Sequence, residues 1–143
     1  MNTLFLQFLR QQGVNVTNIE VIQELYRCFR EKDDNGFRAI CSDDLEWIQN
    51  VGFPNGACRK GSEVVIEAVF KSNRSEWEGF SYNISQFIDA GSTIVVIGSY
   101  SGVHHSTKKQ MQATAAHVYD LCGEKVCRFR MFADTKSMWD AMS

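Results

Sequence analysis

The sequence predicts an α+β domain in which a curved, antiparallel-rich sheet wraps around a long N-terminal helix, and three observations predict it. Apolar residues recur at helical spacing early in the chain, where Ile19, Ile22, Leu25, Tyr26 and Phe29 form one stripe. From Phe80 onward the period changes to two, through four successive stretches rich in β-branched and aromatic residues. Short connections join those stretches, which calls for an antiparallel meander, and helices preceding such a sheet cover one of its faces. A twisted sheet of this kind curls around the long helix and leaves a concave interior.

Each element follows in order. Residues 1–17 form a short extension in which Leu4, Phe5, Phe8 and Leu9 make an amphipathic helix; Gln7 interrupts the apolar patch and no basic leader or cleavage site surrounds it. The domain proper spans 18–143. Thr17 and Glu20 stand in capping-box spacing ahead of the long helix. Gly36 punctuates it, and a short second helix around Phe37–Cys41 runs into a strand near Leu45–Ile48. VGFPNGACRKG, with the only proline, reads as a loop. Ser62 caps a third helix carrying Val65, Ile66, Val69 and Phe70. FSYNISQFIDAG, STIVVIGSYSGVHH, KKQMQATAAHVYDL and EKVCRFRMFAD are the four strands, and TKSMWDAM closes the chain as a helical turn.

Composition narrows the function classes. The 143 residues suffice for one domain, and 44% hydrophobic with 22% charged residues is globular composition. A net charge of -2 and no basic stripe argue against nucleic acid. No apolar run approaches the roughly 18–20 residues that cross a bilayer, so no membrane partner is expected. The five cysteines complete no zinc motif and read as reduced thiols in a cytoplasmic protein. Phosphate loops and nucleophile-elbow serines are missing, and neither cofactor nor metal is expected.

An ordered set of segments carries a resemblance over about residues 18–140: LYRCF before a DDNG turn, DDLEWI, the loop up to Lys60-Gly61, VVIGSYSG, AHVYDLCGEKV and FRMFADT. The set resembles the SnoaL-like polyketide cyclase and ketosteroid isomerase branch of the nuclear-transport-factor-two-like superfamily. The resemblance implies a cystatin-like, cone-shaped roll with an apolar pocket, commonly a homodimer through the outer sheet face. It implies no single reaction, because function lives in sites grafted on folds. In the cyclases an aspartate at the end of the last strand is the general acid/base, and Asp134 stands at the matching place. The isomerase base would fall near Gln49 or Asn50, where this chain has no carboxylate.

The site residues are nominated on that footing. Asp134 and His117 are the catalytic candidates, the first also a good N-cap for the last helix, the second equally a satisfied strand histidine. Tyr26, Trp47, Phe53, Trp77, Tyr82 and Tyr100 are candidates to line a pocket for a small apolar or aromatic molecule, or to be core. The resemblance places Tyr26 and Trp47 toward the cone interior. Arg130 is the candidate for orienting an anionic group, with a surface role as the plainer reading. His104 and His105 sit at a hairpin end without a carboxylate neighbour in sequence and are weak metal ligands.

A regular two-residue turn at Gly123-Glu124 pairs His117 with Arg130 and Ala113 with Asp134, putting His117, Tyr119, Arg128, Arg130, Phe132 and Asp134 on one face. The opposite face, with Ala116, Val118, Cys127, Phe129 and Met131, is more apolar and has the stronger claim to lie against the helices. That would turn the charged face outward, to solvent or a dimer partner; a one-residue bulge would reverse everything beyond it. The function expected is a small-molecule pocket protein, either a cofactor-independent isomerase, cyclase or dehydratase acting by acid/base chemistry, or a non-enzymatic dimeric ligand-binding or accessory domain.

Overall fold

The computed structural model describes residues 2–143. Helix α1 (Thr3–Gln11) is N-capped by Asn2 and docks through buried Leu6 and through Thr3, whose hydroxyl donates to Glu24 Oε1 at 3.0 Å. Helix α2 (Asn18–Glu31) begins with the complete Thr17–Glu20 capping box and ends on Lys32 in the left-handed conformation. Its Ile22, Leu25 and Tyr26 turn into the core, as the apolar stripe requires.

Helix α3 (Asp34–Ile40) contains Gly36, which therefore does more than end α2. A Cβ there would lie 2.5 Å from the Asp33 carboxylate and 2.8 Å from Cys28 Sγ, so a larger residue would force those two side chains to shift. Strand β1 (Cys41–Gln49) is longer than the sequence pattern indicates. The stretch read wholly as a loop contains β2 (Cys58–Lys60), a short edge strand pairing with β1. The third predicted helix is built as α4 (Ser62–Val65), a π-helical turn (Ile66–Phe70) and α5 (Lys71–Glu76). Strands β3 (Trp77–Ala90), β4 (Thr93–His104), β5 (Gln110–Cys122) and β6 (Lys125–Ala133) follow, and α6 (Thr135–Met142) closes the chain.

The six strands form one sheet in the order β2-β1-β6-β5-β4-β3. The predicted meander accounts for β3 to β6, while β6 pairs in parallel with β1. Register shifts in β3 bend its long ribbon, and the curved inner face is filled from α2, α3 and the π-helical turn. Large side chains such as Phe37, Ile66, Tyr119 and Phe129 are almost fully enclosed there. Burial of each contributes about 1.5–3 kcal/mol.

The β5–β6 hairpin departs from the regular register. Leu121 pairs with Val126, but Asp120 pairs with Arg128, leaving Cys127 as an extra residue on β6. His117 consequently faces Met131, not Arg130, and Ala115 faces Ala133. The face predicted from a regular ladder is thus split: His117 and Tyr119 lie inside with Phe129 and Met131, while Arg128 and Phe132 are exposed on the outer side. Cys127 is bonded to Cys122, with Cα atoms 5.7 Å apart, which corrects the expectation that all five cysteines are reduced. Cys28 and Cys41 are buried free thiols and Cys58 is an exposed one. Among the described residues no helix is long and apolar enough to cross a membrane.

Candidate functional site

All four tyrosines of the chain converge on His117. Strand alternation delivers His117 and Tyr119 from β5 to the inner face, β4 supplies Tyr100, β3 supplies Tyr82, and α2 lowers Tyr26 onto them. The Tyr82 ring stacks on the imidazole, with centroids 3.9 Å apart, and its hydroxyl lies 2.9 Å from both the Val96 and Ala115 carbonyls. Gly98 permits that approach, since a Cβ there would meet Asn83 O at 2.4 Å and the Tyr82 ring at 3.0 Å. The Tyr82 proton is thereby committed to the backbone.

The remaining groups form a chain. Tyr119 donates to the Tyr26 hydroxyl at 3.0 Å, Tyr26 meets His117 Nδ1 at 2.7 Å, and Tyr100 meets His117 Nε2 at 2.5 Å. Burial pushes the imidazole down to about 3, so it is neutral near neutral pH, with one N–H and one bare nitrogen. Burial raises the phenols above their ordinary range, which keeps their protons in place. Three hydroxyls and one imidazole N–H bring four protons to three hydrogen bonds. One O–H donor is therefore left over in either tautomer, on Tyr26 or on Tyr100. Trp47, stacked on Phe129 with centroids 3.8 Å apart, has a second unspent donor, because its Nε1–H is buried without an acceptor among the described residues.

These groups line a niche of about 50 Å³ whose other walls include Phe29, Gln49, Phe80 and Phe129. That is room for a water or the oxygen-bearing end of a ligand. No carboxylate lines it. Gln49, at the place where an isomerase base was sought, is buried with its Oε1 accepting from Arg59 at 2.8 Å. The niche adjoins an open groove of about 560 Å³, with which it shares Tyr26, Phe29, Phe80 and Tyr82.

Of the nominated residues, Tyr26, Trp47, Tyr82, Tyr100 and His117 come together. Phe53 lines a separate cavity of about 170 Å³, and Trp77 lies between that cavity and the groove. Arg130 is turned away from the niche toward Asp120, at 3.3 Å. Asp134 is exposed and caps α6, accepting from the Ser137 hydroxyl at 2.6 Å and the Ser137 amide at 3.3 Å. Those bonds hold its carboxyl below the ordinary range, and it does not reach the niche. Tyr119 and Phe129 were not nominated, although alternation with His117 marks Tyr119; the bulge hides Phe129.

Two clusters outside the niche are structurally satisfied. His104 is buried, with Nε2 2.7 Å from Glu76 and Nδ1 accepting from the Thr107 amide. The one grouping among the described residues with three potential metal ligands is Glu24, Cys28 and Asp33. Arg27 bonds both carboxylates there, so a guanidinium fills the place of a cation.

The fold and the niche can be set beside known proteins. An NTF2-like protein from Burkholderia thailandensis superposes with a TM-score of 0.86 at 26% identity, covering 90% of this chain and 99% of that one. TerC, co-crystallised with polyporic acid, gives 0.77 at 22%, covering 87% and 97%. A protein of ketosteroid isomerase-like fold from Catenulispora acidiphila, in complex with trimethylamine, gives 0.74 at 15%, covering 87% and 93%. No curated protein sequence matches the chain. The SnoaL-like domain model matches residues 22–129, from the α2 stripe that carries Tyr26 to the inward-facing Phe129, and by that match the chain belongs to the SnoaL-like domain family.

Proposed function

We propose that this protein binds a small planar molecule, apolar or aromatic, whose carbonyl or hydroxyl oxygen enters the niche while its body lies in the adjoining groove. One observation carries the reading: the site holds unspent donors, one hydroxyl of the His117 chain and the Trp47 N–H, in a place without a charged group. An unmade buried hydrogen bond costs about 1–3 kcal/mol, which an acceptor oxygen recovers. The same donors would stabilise an enolate-like oxygen, the requirement of a cofactor-independent isomerisation, cyclisation or dehydration. A strong base is lacking, since His117 spends both nitrogens and Asp134 is elsewhere. Ligand binding is therefore the primary reading and turnover the secondary one.

Isothermal titration with 2-acetylnaphthalene and with 2-isopropenylnaphthalene, which replaces C=O by C=CH₂, tests it. The ketone should bind roughly 3- to 10-fold more tightly, as one net hydrogen bond predicts. Its carbonyl stretch should move to lower frequency when bound. Equal affinity for the two probes, with no shift of the stretch, would overturn the reading.

A further inference from the structure

The rim of the groove carries cations that have no anionic partner among the described residues. Arg30 in the last turn of α2, Lys32 at its C-cap and Arg74 in α5 all line the groove, where Glu78 is the one carboxylate. Among the described residues none of the three forms an ion pair, whereas Arg27, Arg38 and Lys71 on the same helices or next to them are all paired. The C-terminal end of α2 favours nearby positive charge and accounts for part of the placement of Arg30 and Lys32. It does not account for Arg74, which comes from a different helix. The Arg74 guanidinium lies 6.0 Å from the Phe29 ring and touches the Phe29 carbonyl at 3.4 Å, beside the aromatic floor of Phe29, Phe80 and Tyr82. In a chain of net charge -2, three unpaired cations from two elements over one aromatic floor are a local excess.

We infer that the ligand class is a planar aromatic anion, with its carboxylate, or an equally acidic oxygen, held by Arg30, Lys32 and Arg74 and its neutral oxygen directed into the niche. This rests on the reading of the niche given above. The aromatic body fills the groove between the two ends. Guanidinium groups suit the anionic end because their planar forks match carboxylate geometry.

The probes are 6-acetyl-2-naphthoate and its methyl ester, which share the acetyl group and differ in charge. By calorimetry the anion should bind about tenfold more tightly than the ester at low salt, the increment of a charge-assisted hydrogen bond. Its advantage should shrink as sodium chloride rises from about 0.05 to 0.5 M, because exposed charges are screened over that range. In R30Q/R74Q, with the fold checked by circular dichroism, the affinity ratio of the two probes should fall toward one. An ester that binds as tightly as the anion, or an advantage insensitive to salt in the unmodified protein, overturns the inference of an anionic ligand and leaves the niche intact. Failure of both probes to bind at millimolar concentration overturns both readings.

Discussion

At the scale of single residues the site is governed by desolvation. His117 sits 4% exposed between two phenols and beneath the Tyr82 ring, and no anion adjoins it to support a positive charge. Its folded value of about 3 lies below the ordinary value of about 6.5. The unfolded chain thus takes up a proton as pH falls through 6.5 while the folded chain does not. The stability contributed is complete above 6.5 and lost progressively as pH falls toward 3. Urea denaturation between pH 6.5 and 5, where most carboxylates remain ionised, should lose up to about 1.4 kcal/mol per pH unit from this group. In His117→Gln that part of the slope should vanish; an unchanged slope would show that the imidazole is not buried neutral.

At the scale of elements the Cys127 bulge decides which side chains reach the site. With the extra residue, Phe129 and Met131 face inward beside His117, and Arg128 stays outside. Deleting Cys127 gives a regular ladder with the same facing beyond it. That variant should unfold cooperatively, weakened by about 2 kcal/mol through loss of the disulfide across a short loop. Deleting Arg130 drives Met131 out and Phe132 in, and should abolish the folded state. Similar near-ultraviolet circular dichroism for the two deletions would contradict this account. The same contrast explains what the sequence made readable. The α2 stripe, its capping box and the four long strands were readable because each depends on local periodicity. The parallel β1–β6 pairing joins segments far apart in sequence, whereas the bulge, the disulfide and the π-helical turn are local departures from regular geometry that no residue period announces. Tyr26, Trp47, Tyr82, Tyr100 and His117 can be nominated from sequence because large aromatic and titratable residues are conspicuous, whereas their convergence on one niche depends on the register of the sheet. Asp134 was equally conspicuous, but a carboxylate followed three residues later by Ser137 finds its partners locally as a helix cap.

At the scale of the whole molecule the outer sheet face offers a contact surface. Phe132 is 54% exposed there, at the edge of a shallow depression lined by Ile97, Thr114 and Ala116. We expect two copies to associate through this face, reported as a dimer in sedimentation velocity. Phe132→Glu should yield a monomer with unchanged near-ultraviolet circular dichroism. A wild-type monomer at high concentration would refute the expectation. The gathering of all four tyrosines around His117 also gives the molecule a spectroscopic property. Burial holds every phenol above its ordinary range, so alkaline titration of the native protein should generate no phenolate absorbance where free tyrosine ionises. When the absorbance does appear, it reports the opening of this one cluster, making the chain's entire tyrosine signal an intrinsic optical gauge of site integrity.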